Sequence, residues 1–293
     1  MVVVPILGND GLLRCLKSIS NLPVQHVIVA AEIPDKRVTD LIETSSMLLL
    51  VRPALSVPER RAVGVEACSC EWVALLEDTC TIEDKWFEAA TDNVKNSDCA
   101  AFTGPVRFSP SLAPNALALA CSEYGRFTRD QLFSGRPNIN EGIVCEVKRS
   151  VGVNLFYRKT AIESHIRHEG IIESELDQTL TSRGERIVAH RDFAVCFAEA
   201  DEASMKLRSR FNHGRLYGGF LRRRKSLPAR MIHLLRCIAL PLVLSQRAIK
   251  ALPTAHTSRR AAIKHIVIYE TSWSIGEFIG ILVGPGALRE NWK

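Results

Sequence analysis

Val73-Ala74-Leu75-Leu76 is an unbroken apolar run that stops in an acidic pair, Glu77-Asp78, followed by Thr79. Consecutive apolar residues without polar alternation describe a strand covered on both faces, and such strands sit most simply at the centre of a parallel sheet. The acidic end then falls at the carboxyl edge, where open α/β sheets take their ligands. Two adjacent carboxylates there have the chemistry to hold Mg²⁺ or Mn²⁺ against a diphosphate. The competing reading is a solvated turn ahead of a helix near residues 84 to 94.

The preceding residues alternate between two periods. Val2 to Ile6 reads as a strand, and Asp10 to Ser20 as a helix with Leu12, Leu13, Leu16 and Ile19 on one side. His26 to Ala31 is extended, Asp35 to Glu43 helical and Leu48 to Val51 extended. Ser56-Val57-Pro58-Glu59 has the spacing of a capping box and opens a helix through Ala67. Strand and helix in alternation predict a doubly wound α/β domain with short crossovers.

VVVPILGNDGLLRCLKSI, HVIVAAE, VPERRAVGVEA and VALLEDTCTIEDKW, in this order and spacing, resemble the nucleotide-sugar-binding half of family-2 glycosyltransferases with the GT-A fold. Gly104-Pro105-Val106, the segment Gly152 to Arg158, and Gly170 to Glu173 through Gly184 are similar to that family's acceptor half. The resemblance covers residues 1 to 215, with a donor half at 1–107 and an acceptor half at 108–215. It implies a mixed, mainly parallel sheet flanked by helices, and leaves 216–293 as a helical, basic extension. It also implies transfer of a sugar, with inversion, from a nucleotide-sugar to a glycan or lipid-linked acceptor in polysaccharide or glycoconjugate synthesis. A divalent metal, Mn²⁺ or Mg²⁺, would be held by Asp78 with Glu77. Thr79 stands where the family has its last metal-binding carboxylate. Ala31, with Glu32 beside it, stands where the family has a base-contacting Asp. The resemblance places Pro5, Leu7, Glu32, Arg60, Arg61 and Asn154 on the donor. For the two arginines the alternative is a surface pair near Glu59, and for Asn154 an ordinary strand-end amide.

Sugar transfer needs a base for the acceptor hydroxyl. Aligned on Gly184, Glu173 takes the place of the family's catalytic Asp. Helical geometry agrees: Ile172, Leu176 and Leu180 define an apolar stripe, and Glu173 lies roughly 60° from its centre, against roughly 100° for Glu175. Partial desolvation at the edge of a stripe makes a carboxylate a better base, so Glu175 is the reserve. The other reading of Glu173 is a charge answering the helix dipole. His213 and Arg215, within Arg210 to Arg215, either close over the diphosphate as a lid hinged at Gly214, Gly218 and Gly219, or form the basic face of a helix entering the tail.

Charge divides the chain. Residues 1 to 200 hold 21 Lys and Arg against 27 Asp and Glu, whereas residues 201 to 293 hold 17 against 5. The tail contains Arg222-Arg223-Arg224-Lys225 and two apolar stretches, Leu227 to Ser245 and Ile263 to Leu288, with no uninterrupted run of the length a bilayer needs. Basic residues beside amphipathic helices suit an anionic membrane surface, and the alternative is helices folded back on the body. Nucleic acid is not an expected partner, since no zinc-finger, basic-zipper or RNA-recognition signature is present and aromatic residues make up 6%. Nine cysteines without a Cys-x-x-Cys pair read as reduced, buried thiols. Met1 leads straight into the first strand without a signal-peptide pattern, so the expected location is the cytosol, peripheral on the cytosolic face of a membrane. Two other functions compete. A sugar-phosphate nucleotidyltransferase would carry a cationic phosphate loop after the first strand, which Leu7-Gly8-Asn9-Asp10-Gly11 lacks. A degenerate nucleotide-sugar-binding or scaffold protein fits Thr79 and Ala31.

Overall fold

The computed structural model describes residues 1–6, 8–96, 98–134, 143–198 and 203–286. Leu7, one of the expected donor contacts, lies outside the described residues.

The first part follows the expected alternation: β1 (Val2–Val4), α1 (Asn9–Ile19), β2 (Val27–Ala30), α2 (Lys36–Thr44), β3 (Leu48–Val51), α3 (Val57–Ala67) and β4 (Trp72–Glu77). β5 (Cys80–Ile82), α4 (Trp86–Asn96), β6 (Ala101–Thr103) and β7 (Val106–Phe108) come next. After α5 (Pro114–Tyr124) and α6 (Arg129–Phe133) come β8 (Val144–Val147), β9 (Asn154–Arg158), α7 (Lys159–Glu169), α8 (Glu173–Ser182), β10 (Ile187–His190) and β11 (Val195–Phe197). Three long helices close the described chain: α9 (Ala203–Arg224), α10 (Leu227–Lys250) and α11 (Arg259–Val283).

Eight strands form the main sheet in the order β3-β2-β1-β4-β9-β6-β10-β8. β3, β2, β1 and β4 run parallel, and β10 is parallel to β6. β9 enters antiparallel between β4 and β6. The strand holding Val73 to Leu76 is therefore central and buried on both faces as expected, but only its β1 side is parallel. A buried apolar run records that both faces are covered, not the direction of the neighbour. β5, β11 and β7 make a second, three-stranded sheet.

Local chemistry sets the helix starts. The Ser56–Glu59 capping box forms, with Pro58 in the first turn of α3, a device that stabilises a helix start by about 1 kcal/mol. Asp35 caps α2 by accepting from the Val38 N–H at 3.1 Å.

The chain divides into two compact units, Met1–Arg107 with Phe127–Glu199, and Phe108–Arg126 with Ala200–Trp292. The first carries the main sheet. The second holds α5, α9, α10 and α11, and residue 215, the expected domain edge, falls inside α9. Gly214, Gly218 and Gly219, expected as hinges, instead lie within an unbroken helix. A Cβ on Gly214 would sit 2.1 Å from the Trp273 carbonyl oxygen, and one on Gly218 equally close to that of Glu277. Gly276 and Gly280 of α11 reciprocate, 2.1 and 2.2 Å from the carbonyl oxygens of Phe211 and Arg215. Small residues at this spacing let two helix backbones touch. Contrary to the expectation that no span is available, α10 and α11 are both long and apolar enough to cross a membrane, by length and composition.

The cysteines are free thiols, mostly buried, with Cys70 exposed.

Candidate active site

Val4 pairs with Glu77 across the parallel ladder, and Asn154 of β9 stands opposite Leu76, so the ends of β1 and β4 and the start of β9 share one edge. The two acidic residues there have different partners. Glu77 Oε1 accepts from the Arg61 guanidinium. Asp78 is fully buried, and its Oδ1 accepts from the backbone N–H of Ile6 at 2.9 Å. Asp78 thus braces the chain leaving β1. The Thr79 hydroxyl donates to Cys80 Sγ at 3.6 Å.

Arg61, 3% exposed, ties this strand end to the candidate base. One arm of its guanidinium goes to Glu77, and Nη1 donates to Glu173 Oε2 at 2.9 Å. α3 supplies Arg61 and α8 begins at Glu173, and the chain holds the two together. Ile171 N–H donates to the Pro58 carbonyl at 2.9 Å, and Gly170, with φ 72°, turns against Pro58 where a side chain would clash. On its far side the Glu173 carboxylate lies over Gly152, whose missing Cβ would sit 2.9 Å from Oε1. Arg61 orients the carboxylate, Gly152 leaves room for it, and its side chain is 29% open to solvent.

Arg60, also buried, donates from Nη1 to the Pro5 carbonyl at 3.2 Å, while its Nε has no hydrogen-bond partner among the described residues. Burial lowers its pKa, against the opposing charge of Asp78. Neither arginine is a surface pair near Glu59.

Asn154 is committed within the protein. Its Oδ1 accepts from Trp86 Nε1 at 2.9 Å and its Nδ2 donates to the Phe193 carbonyl at 2.7 Å. Glu32 is exposed just past the end of β2. Glu175 is half-buried, in the first turn of α8. His213 and Arg215 belong to the other unit, where His213 Nδ1 faces Glu123 at 3.5 Å and Arg215 Nε donates to the Gly284 carbonyl at 3.2 Å.

Asp177, which no sequence feature singled out, is fully buried on α8. Both its oxygens accept from Ser150, from Oγ at 2.6 Å and from the N–H at 2.7 Å. Burial pushes its pKa up to about 6, with the Ser150 bonds opposing and the charge of Glu173 adding to the rise. The available signal was the four-residue spacing from Glu173, which puts both acids on one side of the helix.

A divalent ion needs hard oxygen ligands left available to it. Asp78 accepts from a backbone N–H, Glu77 from Arg61, and Thr79 offers a neutral oxygen, so a divalent ion here would share these carboxylates with their protein partners. Among the described residues no three His, Cys, Asp or Glu side chains converge into one.

No protein-family model matches the chain, and no characterised protein matches it by sequence. Solved structures do match. The mannosyltransferase PcManGT from Pyrobaculum calidifontis, in complex with GDP-Man and Mn²⁺, superposes with a TM-score of 0.54 at 15% identity over 96% of this chain and 86% of that one. GalNAc-T7 with UDP, GalNAc and Mn²⁺ gives 0.50 at 9% identity over 69% of this chain. This chain spans 43% of the GalNAc-T7 chain. S. aureus TarS 1–349 superposes at 0.47 and 14% identity, covering 93% of this chain and 90% of that one. The protein has a GT-A-type fold, a mixed α/β sheet flanked by helices.

Proposed function

We propose that the protein is a glycosyltransferase that moves a sugar from a nucleotide-sugar donor to a glycan or lipid-linked acceptor with inversion. One observation carries the reading beyond the fold: Glu173, bonded to Arg61 and lying in the room left by Gly152, sits beside the carboxyl end of β4, where this fold takes its ligands. Glu173 takes the proton of the acceptor hydroxyl as that oxygen bonds to the anomeric carbon. The bond from that carbon to the diphosphate breaks, and the nucleoside diphosphate leaves with the electron pair. Arg61 sets the direction of the carboxylate and Gly152 leaves space for it, which matters because a base must meet its proton at hydrogen-bond distance. No step is assigned to a divalent ion, which would share the acidic pair with its protein partners.

A catalytically silent nucleotide-sugar-binding protein is the second reading, favoured by the engagement of Glu77 and Asp78 inside the protein. A thermal-shift series with UDP-, GDP- and dTDP-sugars, each with Mn²⁺ and with chelator, separates these readings when followed by product analysis. Transfer predicts that one donor stabilises the protein and is consumed. Stabilisation without consumption favours the silent reading, and no stabilisation by any donor contradicts both. Loss of binding in chelator would return Asp78 and Glu77 to the metal role.

A further inference from the structure

α10 is poorly covered for a helix of 24 residues. Leu227, Met231, Leu235, Ile238 and Leu242 each expose more than half of their surface. At about 100° per residue they fall within about 80° of arc, a continuous stripe along the helix. The helix packs on its unit through another side, where Cys237 joins Leu221 and Ile281, flanked by Leu234 and Leu240. Arg230, His233, Arg236 and Arg247 lie roughly 100° to 160° from the middle of the stripe. Along the sequence the charge is of one sign, residues 203 to 269 containing 15 Lys and Arg and no Asp or Glu, and the acid that reaches α10 is Glu277 of α11, near Arg236.

We infer that α10 is a docking helix for an anionic lipid bilayer, lying in the plane of the interface with this stripe in the acyl boundary and the basic residues toward the headgroups. Two alternatives are weaker on charge. A second copy of the chain would bring two such basic stretches together. A nucleic acid would pair with the cations and leave five large apolar side chains in water. Spanning is opposed by Arg236, which ten residues into the helix would sit about 14 Å deep, near the midplane of a core of about 30 Å. In the plane of the interface it faces away from the acyl chains. α11 is the other apolar helix, but its Glu270 is buried on Arg210 at 3.0 Å and its glycines hold it against α9, so it serves as the core of this unit. The inference does not depend on the proposed reaction.

The test is co-sedimentation of the full chain with phosphatidylcholine vesicles, with and without phosphatidylglycerol, at low and high salt. Binding should need the anionic lipid and weaken in salt, because exposed charges are screened over about 8 Å at physiological ionic strength. Leu235→Glu with Ile238→Glu should lower partitioning by about tenfold or more. Replacing Arg223, Arg224 and Lys225 with Gln should lower it by up to about fivefold per charge and flatten the salt dependence. Unchanged circular dichroism and thermal unfolding show that the variants remain folded, and Ile238→Ala serves as a milder change if the double variant does not. Equal partitioning to neutral vesicles, or none to either, overturns the inference. Resistance to alkaline carbonate extraction from cell membranes also overturns it, in favour of a span. If the Glu variants turn an oligomer into a monomer without altering partitioning, the face belongs to a second copy.

Discussion

Asp177 makes the clearest claim about a single residue. Its folded pKa, raised to about 6 from 3.8, means the folded protein binds a proton more tightly there than the unfolded chain does. The stability this gives is fully present below about pH 4 and is lost as pH rises through about 6, a difference of about 3 kcal/mol at most. Asp177→Asn keeps a hydrogen-bond partner for Ser150 and carries no charge. It should raise the melting temperature above pH 7 and abolish the slope between pH 4 and 6, read from thermal unfolding at a series of pH values. A slope that survives the substitution assigns the proton to another group. The sequence singled out Glu173 through the family resemblance aligned on Gly184, with the apolar stripe of α8 in agreement, and Arg61 through its place in the resembled donor half. Their pairing was not legible, because nothing local links residues 112 positions apart. Asp177 stayed hidden between Leu176 and Leu180, since a helical stripe does not announce the Ser150 hydroxyl that satisfies a carboxylate inside it.

At the scale of elements, Arg61 links α3, β4 and α8, and removing it leaves two carboxylates at a largely buried place without their cation. Arg61→Gln should destabilise the protein by about 3–5 kcal/mol, the usual result of breaking a buried pair from one side. Arg61→Lys, which keeps the charge and loses the two-armed geometry, should retain the fold and donor affinity while lowering kcat. Donor affinity lost together with kcat would return Arg61 to the nucleotide. In the helical unit, Gly218→Ala separates packing from propensity. Alanine in an exposed helix gains about 1 kcal/mol over glycine. Here its Cβ meets the Glu277 carbonyl at 2.1 Å, so the substitution should cost about 1–3 kcal/mol in denaturant unfolding. A gain in stability would mean that α9 and α11 do not touch there. The alternation up to β4 was readable because apolar period and caps are local. The antiparallel entry of β9 and the glycine crossing were not, because each depends on which distant element arrives alongside.

Across the whole molecule, a sheet-bearing unit and a helical unit share one chain, and the charge along the sequence changes sign near residue 200, where the main boundary between the units also falls. The insertion of Phe108–Arg126 into the second unit was not foreseeable from that trend. The proposed transfer belongs to the first unit and the lipid contact to the second, so lesions in each should be independent. The most direct measurement is release of nucleoside diphosphate from the donor that stabilises the protein, compared between the wild-type chain and Glu173→Gln with donor affinity measured on both. The account predicts equal affinity and a turnover lower by about 10²–10⁴-fold in the variant. Turnover unchanged by Glu173→Gln, or no turnover of any donor by the wild-type chain, would contradict it.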